Sequence, residues 1–163
     1  MKSSSPGFLS IWIYLGEIIA TSLIYFFIFL TLESTVISSF VIKTSSNFLS
    51  KFSFVMLTAS IGFFWTFYKQ SDGEFSKWLY KKNAYNTYIA AFVSSIAIYL
   101  ITSLLLLATE ISSNNLVAWV TGWFLILAII NVFTFFANII SFMRLRTFFS
   151  IKLEEYKKDK NIG

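Results

Sequence analysis

The chain has 163 residues, of which 56% are hydrophobic, 20% aromatic and only 13% charged, with a formal net charge of +5. Soluble domains average about 25% charged residues, so this composition argues against a soluble domain. Cys and His are both absent, which excludes disulfides, thiol nucleophiles, imidazole catalysis and the commonest metal ligands. The sequence also lacks a phosphate-binding glycine loop and a nucleophile–base pair. We therefore expect no enzyme activity, no cofactor and no metal site.

Most of the chain lies in apolar stretches that approach or exceed the roughly 20 residues needed to cross a bilayer as a helix. The sequence therefore predicts an all-α integral membrane protein: a bundle of four transmembrane helices over residues 1–143, followed by a basic amphipathic helical tail over residues 144–163. The first stretch is too long for a signal peptide and contains an acid. The predicted spans cover about residues 8–32, 52–68, 84–108 and 116–143.

The connections between these spans differ in character. Residues 33–51 are rich in Ser and Thr, and their apolar piece, Thr35–Ile42, is too short to span and is expected to lie against the lipid surface. A turn is predicted at Thr109–Asn115. The polar loop over residues 69–83 combines basic and aromatic residues, which predicts an interfacial amphipathic helix that leads into the third span.

The distribution of Lys and Arg predicts the orientation, because cytoplasmic loops carry the excess of these residues. Both ends of the chain and the loop over residues 69–83 together carry eleven basic residues, whereas the other side carries only Lys43 and Lys51. We therefore expect a multi-pass protein of the cell inner membrane with both termini in the cytoplasm. Trp119 and Trp123 then fall near the outer interface, where Trp is enriched.

Glu17 is an acid within the first predicted span, and none of the four spans contains Lys or Arg. An ionised carboxylate at the bilayer centre costs about 2.5–3.5 kcal/mol on insertion scales. We expect either a protonated, hydrogen-bonding acid or a charged group in a water-filled cavity. Antiparallel packing predicts that Glu17 lies level with residues 134–138 and contacts Asn131 or Asn138. The predicted intramembrane polar cluster comprises Glu17, Tyr99, Asn131, Thr134, Asn138 and Ser141.

This polar cluster has two readings. Interhelical hydrogen bonds could hold the bundle or an oligomer together, a common role of polar residues in membranes. Alternatively, the cluster could sense protons or ions, or line a pore.

Small residues spaced four apart predict close helix packing, within one subunit or between copies. These pairs are Gly16 and Ala20, Thr58 and Gly62, and Ala91 and Ser95.

Two cytoplasmic segments are predicted to form an exposed surface for lipid or a partner. In the tail, Leu145, Phe149, Leu153 and Tyr156 form an amphipathic stripe. We expect the anionic inner leaflet first and a soluble cytoplasmic protein second, and nucleic acid is disfavoured because acids offset the basic charge. The predicted surface comprises Lys77, Trp78, Lys81, Lys82, Arg144, Arg146, Phe149, Lys152, Leu153 and Tyr156.

Three functional hypotheses follow. The favoured one is a homo-oligomeric membrane scaffold or sensor that recruits or regulates a cytoplasmic protein. The second is an oligomeric ion channel lined by Glu17 and the Asn131/Asn138 stripe. The third is antiviral defence or bacteriocin immunity, because this architecture is similar to that of bacteriocin-immunity proteins and of membrane subunits of bacterial defence pairs such as Kiwa. That similarity is one of size and architecture, without a shared motif.

Overall fold

The computed structural model describes residues 6–69, 73–82 and 84–160, and their side chains over residues 15–69, 73–82 and 84–156. The remainder of the predicted loop (residues 70–72 and 83) and of the predicted tail (residues 161–163) lies outside the described residues. All regular structure within the described ranges is helical. In chain order the helices are α1 (Pro6–Thr31), α2 (Ser34–Lys69), α3 (Glu74–Lys81), α4 (Tyr85–Ser112) and α5 (Asn115–Lys160).

Three of these helices, α2, α4 and α5, are long and apolar enough to cross a membrane. α1 adds a shorter apolar segment, Leu15–Thr31, whose side chains are described. Many large apolar side chains face outward from the bundle, as expected where lipid is the surrounding solvent. The chain is therefore a multi-pass membrane protein by length and composition.

The prediction that residues 33–51 form a connection is wrong, because α2 is one helix of 36 residues. Its Ser and Thr residues do not interrupt it, since their hydroxyls bond back to the preceding helical turn. Thr44 and Ser45 donate to the carbonyls of Phe40 and Ile42 at 2.7 and 2.9 Å. This bonding satisfies the hydroxyls inside the helix, so a Ser-rich segment remains helical.

A π-helical turn at Leu49–Ser53 lies in the middle of α2. It brings Ser53 against α4, where the Ser53 and Ser103 hydroxyls lie 2.7 Å apart and Ser53 also donates to the Tyr99 carbonyl at 3.2 Å. π-turns occur mostly as single insertions in α-helices and often near functional sites. Here the turn joins α2 to α4 by polar contacts at the level of Tyr99.

α5 continues without a break for 46 residues, so the predicted fourth span and the described part of the predicted helical tail belong to one helix. Its turn with α4 is narrower than predicted, since α4 ends at Ser112 and Ser113 takes a left-handed conformation with φ of 48°. The Thr109 and Thr121 hydroxyls lie 2.7 Å apart and link the two helices next to this turn. α4 and α5 therefore form a tight antiparallel pair.

Trp119 joins three helices near the start of α5. Its carbonyl accepts a hydrogen bond from the Tyr25 hydroxyl of α1 at 2.8 Å, and its indole Nε1 donates to the Ser34 carbonyl of α2 at 3.2 Å. The Phe29 ring packs edge-on against the indole at 5.2 Å. Gly122, one turn further along α5, leaves room for the Tyr25 side chain. We call these contacts the Trp119 junction.

The amphipathic helix predicted in the polar loop forms as α3. Its apolar face packs against α5: Phe75 lies 5.6 Å from Phe142 and 5.4 Å from Phe149, and Trp78 lies 5.6 Å from Phe149 between ring centroids. Leu79 is fully buried. The apolar face of α3, which was expected to rest on lipid, is thus covered by protein. It packs against an aromatic core between α2, α4 and α5 that contains Phe67, Tyr85, Phe92, Phe135 and Phe142.

The Trp119 junction can be tested at Gly122. A Cβ at this position would lie 3.4 Å from both Tyr25 and Val41, so Gly122→Leu should force α1 and α2 away from α5. Overpacking typically costs about 1–3 kcal/mol in the free energy of unfolding. Tryptophan fluorescence during unfolding in mild detergent measures this loss. Ala97→Leu, at an exposed position of α4, is the control, and an equal loss in both variants would contradict the junction.

Candidate intramembrane polar site

The predicted contact between Glu17 and an asparagine of the fourth span is present, and its partner is Asn131. The Asn131 amide Nδ2 donates to both carboxylate oxygens of Glu17, at 3.1 and 3.3 Å. Glu17 is 5% exposed and Asn131 is 0% exposed. This contact joins α1 to α5 inside a single subunit.

The contact lies deeper in the membrane than expected. Glu17 was predicted to lie level with residues 134–138, but it pairs with Asn131. At 1.5 Å per residue, Asn131 lies about 20 Å along α5 from Arg144 and about 18 Å from Trp119. A hydrocarbon core is about 30 Å thick. The carboxyl group therefore lies close to the middle of the bundle, where a charge is most costly.

Three buried side-chain atoms make no hydrogen bond within the described chain: Thr21 Oγ1, Tyr99 Oη and Asn131 Oδ1. Thr21 follows Glu17 by one helical turn and therefore lies on the same face of α1. Tyr99 of α4 was expected to find a partner for its hydroxyl, and none is present among the described residues. Its ring packs against Phe135, one turn from Asn131 on α5. α1, α4 and α5 thus each contribute one buried oxygen without a hydrogen bond.

Thr21 behaves differently from the other buried threonines. Thr102, Thr109 and Thr121 each donate to the carbonyl four residues earlier, at 2.7–2.8 Å. This bond satisfies a hydroxyl inside a membrane helix without a second helix. Thr21 Oγ1 makes no such bond in the described part of the chain. Its oxygen is therefore free to bind a group next to Glu17. In the sequence, the only indication of this role is the spacing of four residues between Glu17 and Thr21.

Tyr99 is held at this site by its neighbours. Its carbonyl accepts hydrogen bonds from Ser103 at 2.8 Å and from Ser53 at 3.2 Å. Its ring packs edge-on against Phe135, with a centroid distance of 6.4 Å and an interplanar angle of 89°. These contacts come from α2, α4 and α5. The phenol position is therefore set by the bundle rather than by a hydrogen bond of its own hydroxyl.

The rest of the predicted polar stripe is not at the site. Thr134 and Asn138 are half-buried and Ser141 is exposed, so the stripe turns from the interior of the bundle toward its surface.

The predicted small-residue pairs differ in burial. Ala91 and Ser95 are buried within the subunit, whereas Gly16, Thr58 and Gly62 are exposed and Ala20 is half-buried.

The end of α5 after residue 143 forms a second candidate site with two different faces. Leu145, Phe149 and Leu153 are half-buried, and Phe149 packs on α3. Another face leaves Phe148 53% and Ile151 52% exposed. The remaining residues of the predicted surface are exposed apart from the half-buried Trp78: Lys77, Lys81, Lys82, Arg144, Arg146, Lys152 and Tyr156.

The chemistry of the Glu17 site is that of oxygen ligands. It offers one carboxylate, one amide oxygen and two hydroxyls. Among the described residues, no three Asp, Glu, His or Cys side chains come together as a metal-binding group. One carboxylate with neutral oxygens suits a singly charged species better than a divalent one, because the charges then balance.

The Glu17–Asn131 contact predicts different effects for two asparagines of the same helix. Asn131→Ala should lower the free energy of unfolding by about 1.5–3 kcal/mol, since it removes hydrogen bonds to a buried carboxylate. Asn138→Ala, at a half-buried position, should change it by less than about 0.5 kcal/mol. Unfolding in mild detergent measures both. Similar losses in the two variants would show that Glu17 draws no particular support from Asn131.

No protein family, no curated protein and no solved structure matches this chain.

Proposed function

We propose that the chain is a small inner-membrane scaffold that holds or regulates a soluble cytoplasmic protein through the end of α5. The observation that carries this proposal is the length of α5. Its 46 residues form one unbroken helix, which is about 69 Å long at 1.5 Å per residue. The hydrocarbon core is only about 30 Å thick, and about 40–45 Å with its headgroup regions.

Tilting does not bring α5 wholly into the membrane. Even at 40°, the upper end of the usual range, the helix still extends about 53 Å along the bilayer normal. A helix without a break also cannot turn to lie on the lipid surface. The end of α5 therefore projects into water, and this geometry favours a protein partner over the lipid surface that was expected first.

The projecting end carries an apolar face that needs a partner in water. Met143, Phe148 and Ile151 are large, exposed and spaced along one side of the helix. Arg144 and Thr147 border the same groove. The opposite side is already covered by α3, so this face is the one left for docking. Contiguous apolar patches exposed to water mark interaction sites.

The proposed topology has four spans, with α1 as the first and both termini in the cytoplasm. The antiparallel order supports it, because α1 packs on α5 through Glu17 and Asn131 at one level and through Tyr25 and Trp119 at another. Residue number increases along α1 as it decreases along α5, so the two helices run in opposite directions. The excess of Lys and Arg at the ends and in the loop with α3 supports a cytoplasmic location for that side. Lys43 and Lys51, which were expected in an outer connection, lie within α2.

A homo-oligomer is part of the proposal. A Cβ added to Gly16 or Gly62 would meet no heavy atom within 4 Å. The small faces of α1 and α2 around these glycines are therefore unused within one subunit. Small residues let helix backbones approach closely in lipid, which makes these faces the candidate contacts between copies.

The two alternative functions find less support. A pore lined by Glu17 requires this side chain to face a passage, but it is 5% exposed in a single subunit and bonded to Asn131. The defence or immunity hypothesis depends on similarity of architecture alone. Binding of a cytoplasmic protein remains the function that the geometry of α5 favours.

The scaffold proposal predicts that charged substitutions on the exposed apolar face of α5 prevent binding of the soluble partner protein. The double variant Phe148→Glu with Ile151→Glu should reduce the recovery of a co-purifying soluble protein about tenfold or more, since buried anchor residues dominate binding energy. Removal of residues 151–163 should do the same while Phe149 stays on α3. Affinity purification with quantitative mass spectrometry measures the recovery.

Ser150→Glu is the matched control for that experiment. It adds one negative charge, against two in the double variant, at an exposed position of the same helical turn that is outside the groove of Met143, Phe148 and Ile151, and should leave recovery unchanged. Equal recovery with wild type and with the double variant would refute docking on this face. A wild-type protein that retains no soluble partner in its native cell would refute the scaffold proposal itself.

The proposed contacts between copies predict a second effect. Gly16→Leu and Gly62→Leu should each shift the protein toward monomers, because a branched side chain prevents close approach of two helices. Native mass spectrometry and crosslinking in mild detergent measure the distribution. Ala97→Leu is the control at an exposed position outside both pairs. Monomeric wild-type protein, or unchanged oligomers in both glycine variants, would contradict this assembly.

A further inference from the structure

The Glu17 site has an imbalance of charge that its protein contacts do not correct. Within the described residues, the one ion pair is Lys152 with Glu155 at 3.1 Å, far along α5. Among the described side chains, Glu17 accepts hydrogen bonds only from the neutral amide of Asn131. A buried carboxylate in hydrocarbon is costly unless a charge of opposite sign lies beside it.

Three buried oxygens without hydrogen bonds lie on helix turns next to the Glu17–Asn131 contact. Thr21 Oγ1, Tyr99 Oη and Asn131 Oδ1 are each buried, and all three residues are 0% exposed. Asn131 is in contact with Glu17, Thr21 is one turn away on the same face of α1, and the Tyr99 ring packs on Phe135, one turn from Asn131 on α5. Each atom is an oxygen that can offer a lone pair. Three helices contribute, so the group is more than a single acid.

We propose that Glu17, Thr21, Tyr99 and Asn131 form a binding site for one monovalent metal cation, of which Na⁺ is the best candidate. Hard cations bind through carboxylate, amide and hydroxyl oxygens. A single positive charge neutralises the single carboxylate, whereas a divalent cation would leave a net charge in the bilayer. This inference is independent of the cytoplasmic partner.

Cation binding here has a structural consequence for α1. Toward its other end α1 is joined to α5 through Tyr25 and Phe29 at the Trp119 junction. A cation between Glu17, Tyr99 and Asn131 joins α1 to both α4 and α5 at mid-membrane. The bound ion therefore stabilises the docking of α1, and protein stability becomes the readout.

The test compares the unfolding midpoint of the full chain in mild detergent with NaCl, KCl or N-methylglucamine chloride at equal ionic strength. Na⁺ should raise the midpoint in a saturable way, because a ligand that binds only the folded state shifts the folding equilibrium. At a concentration 100 times its Kd, the folding equilibrium constant rises about 100-fold. Broadening of the ²³Na NMR signal by the protein provides a direct measure of binding.

Single substitutions test whether the rise of the unfolding midpoint with Na⁺ arises at this site. Glu17→Gln and Thr21→Val should abolish the Na⁺ dependence, and Thr21→Ser, which keeps the hydroxyl, should retain it. Thr66→Val is the control, because the Thr66 hydroxyl is exposed and bonds back to the Gly62 carbonyl at 2.9 Å. If Glu17→Gln does not fold, the two Thr21 variants still decide the matter.

Three results would overturn the proposal. An equal rise with N-methylglucamine, or a Na⁺ effect that persists in Thr21→Val, would identify general salt screening. A midpoint that ignores every alkali cation and falls as the pH rises would show that Glu17 carries a proton in place of a metal ion.

Discussion

The fold depends on α5 remaining one unbroken helix, because it contacts all four of the other helices. Along its length Trp119 binds α1 and α2, Thr121 binds α4, Asn131 binds α1 again and Phe149 packs on α3. In lipid the hydrophobic effect does not drive helices together, so close packing and hydrogen bonds have to do so. A kink anywhere between Trp119 and Phe149 would misplace one set of partners. The continuity of α5 therefore determines both the bundle and the length that projects from it.

The second constraint is that buried polar groups need hydrogen-bond partners, and this requirement is not met at the Glu17 site. Elsewhere in the bundle, hydroxyls bond back to their own helix or pair across helices, as Ser53 and Ser103 do. Such bonds give the hydroxyls hydrogen-bond partners without interrupting the helix, so Ser-rich segments remain helical. Glu17 differs, since its only described partner is Asn131 and three buried oxygens on nearby helix turns make no hydrogen bond. A buried carboxylate contributes little to stability by itself, which makes a ligand the better explanation of its position.

Periodicity and charge in the sequence were enough to predict an all-helical membrane protein, an amphipathic helix in the polar loop, and contact between Glu17 and Asn131. The continuity of α2 was not predictable from composition, because Ser and Thr favour loops in water and are satisfied within helices in lipid. The depth of Glu17 was misjudged because it depends on the register between α1 and α5, which is determined by contacts at Trp119. Thr21 was missed because a threonine in a membrane helix usually bonds to its own backbone.

The two candidate sites share one rigid element. Asn131 and Ile151 lie on α5 with no break between them, and the 20 residues that separate them span about 30 Å. A helix of this kind moves as a unit, so a rotation or tilt at one position is transmitted to the other. Energetic coupling between distant sites requires a physical element with two arrangements that both sites bias, and α5 is the element that these two sites share. A cation that binds Glu17 and Asn131 acts on the same helix whose far end carries Phe148 and Ile151. The Glu17–Asn131 contact and the exposed face of Phe148 and Ile151 are thus connected through one continuous helix.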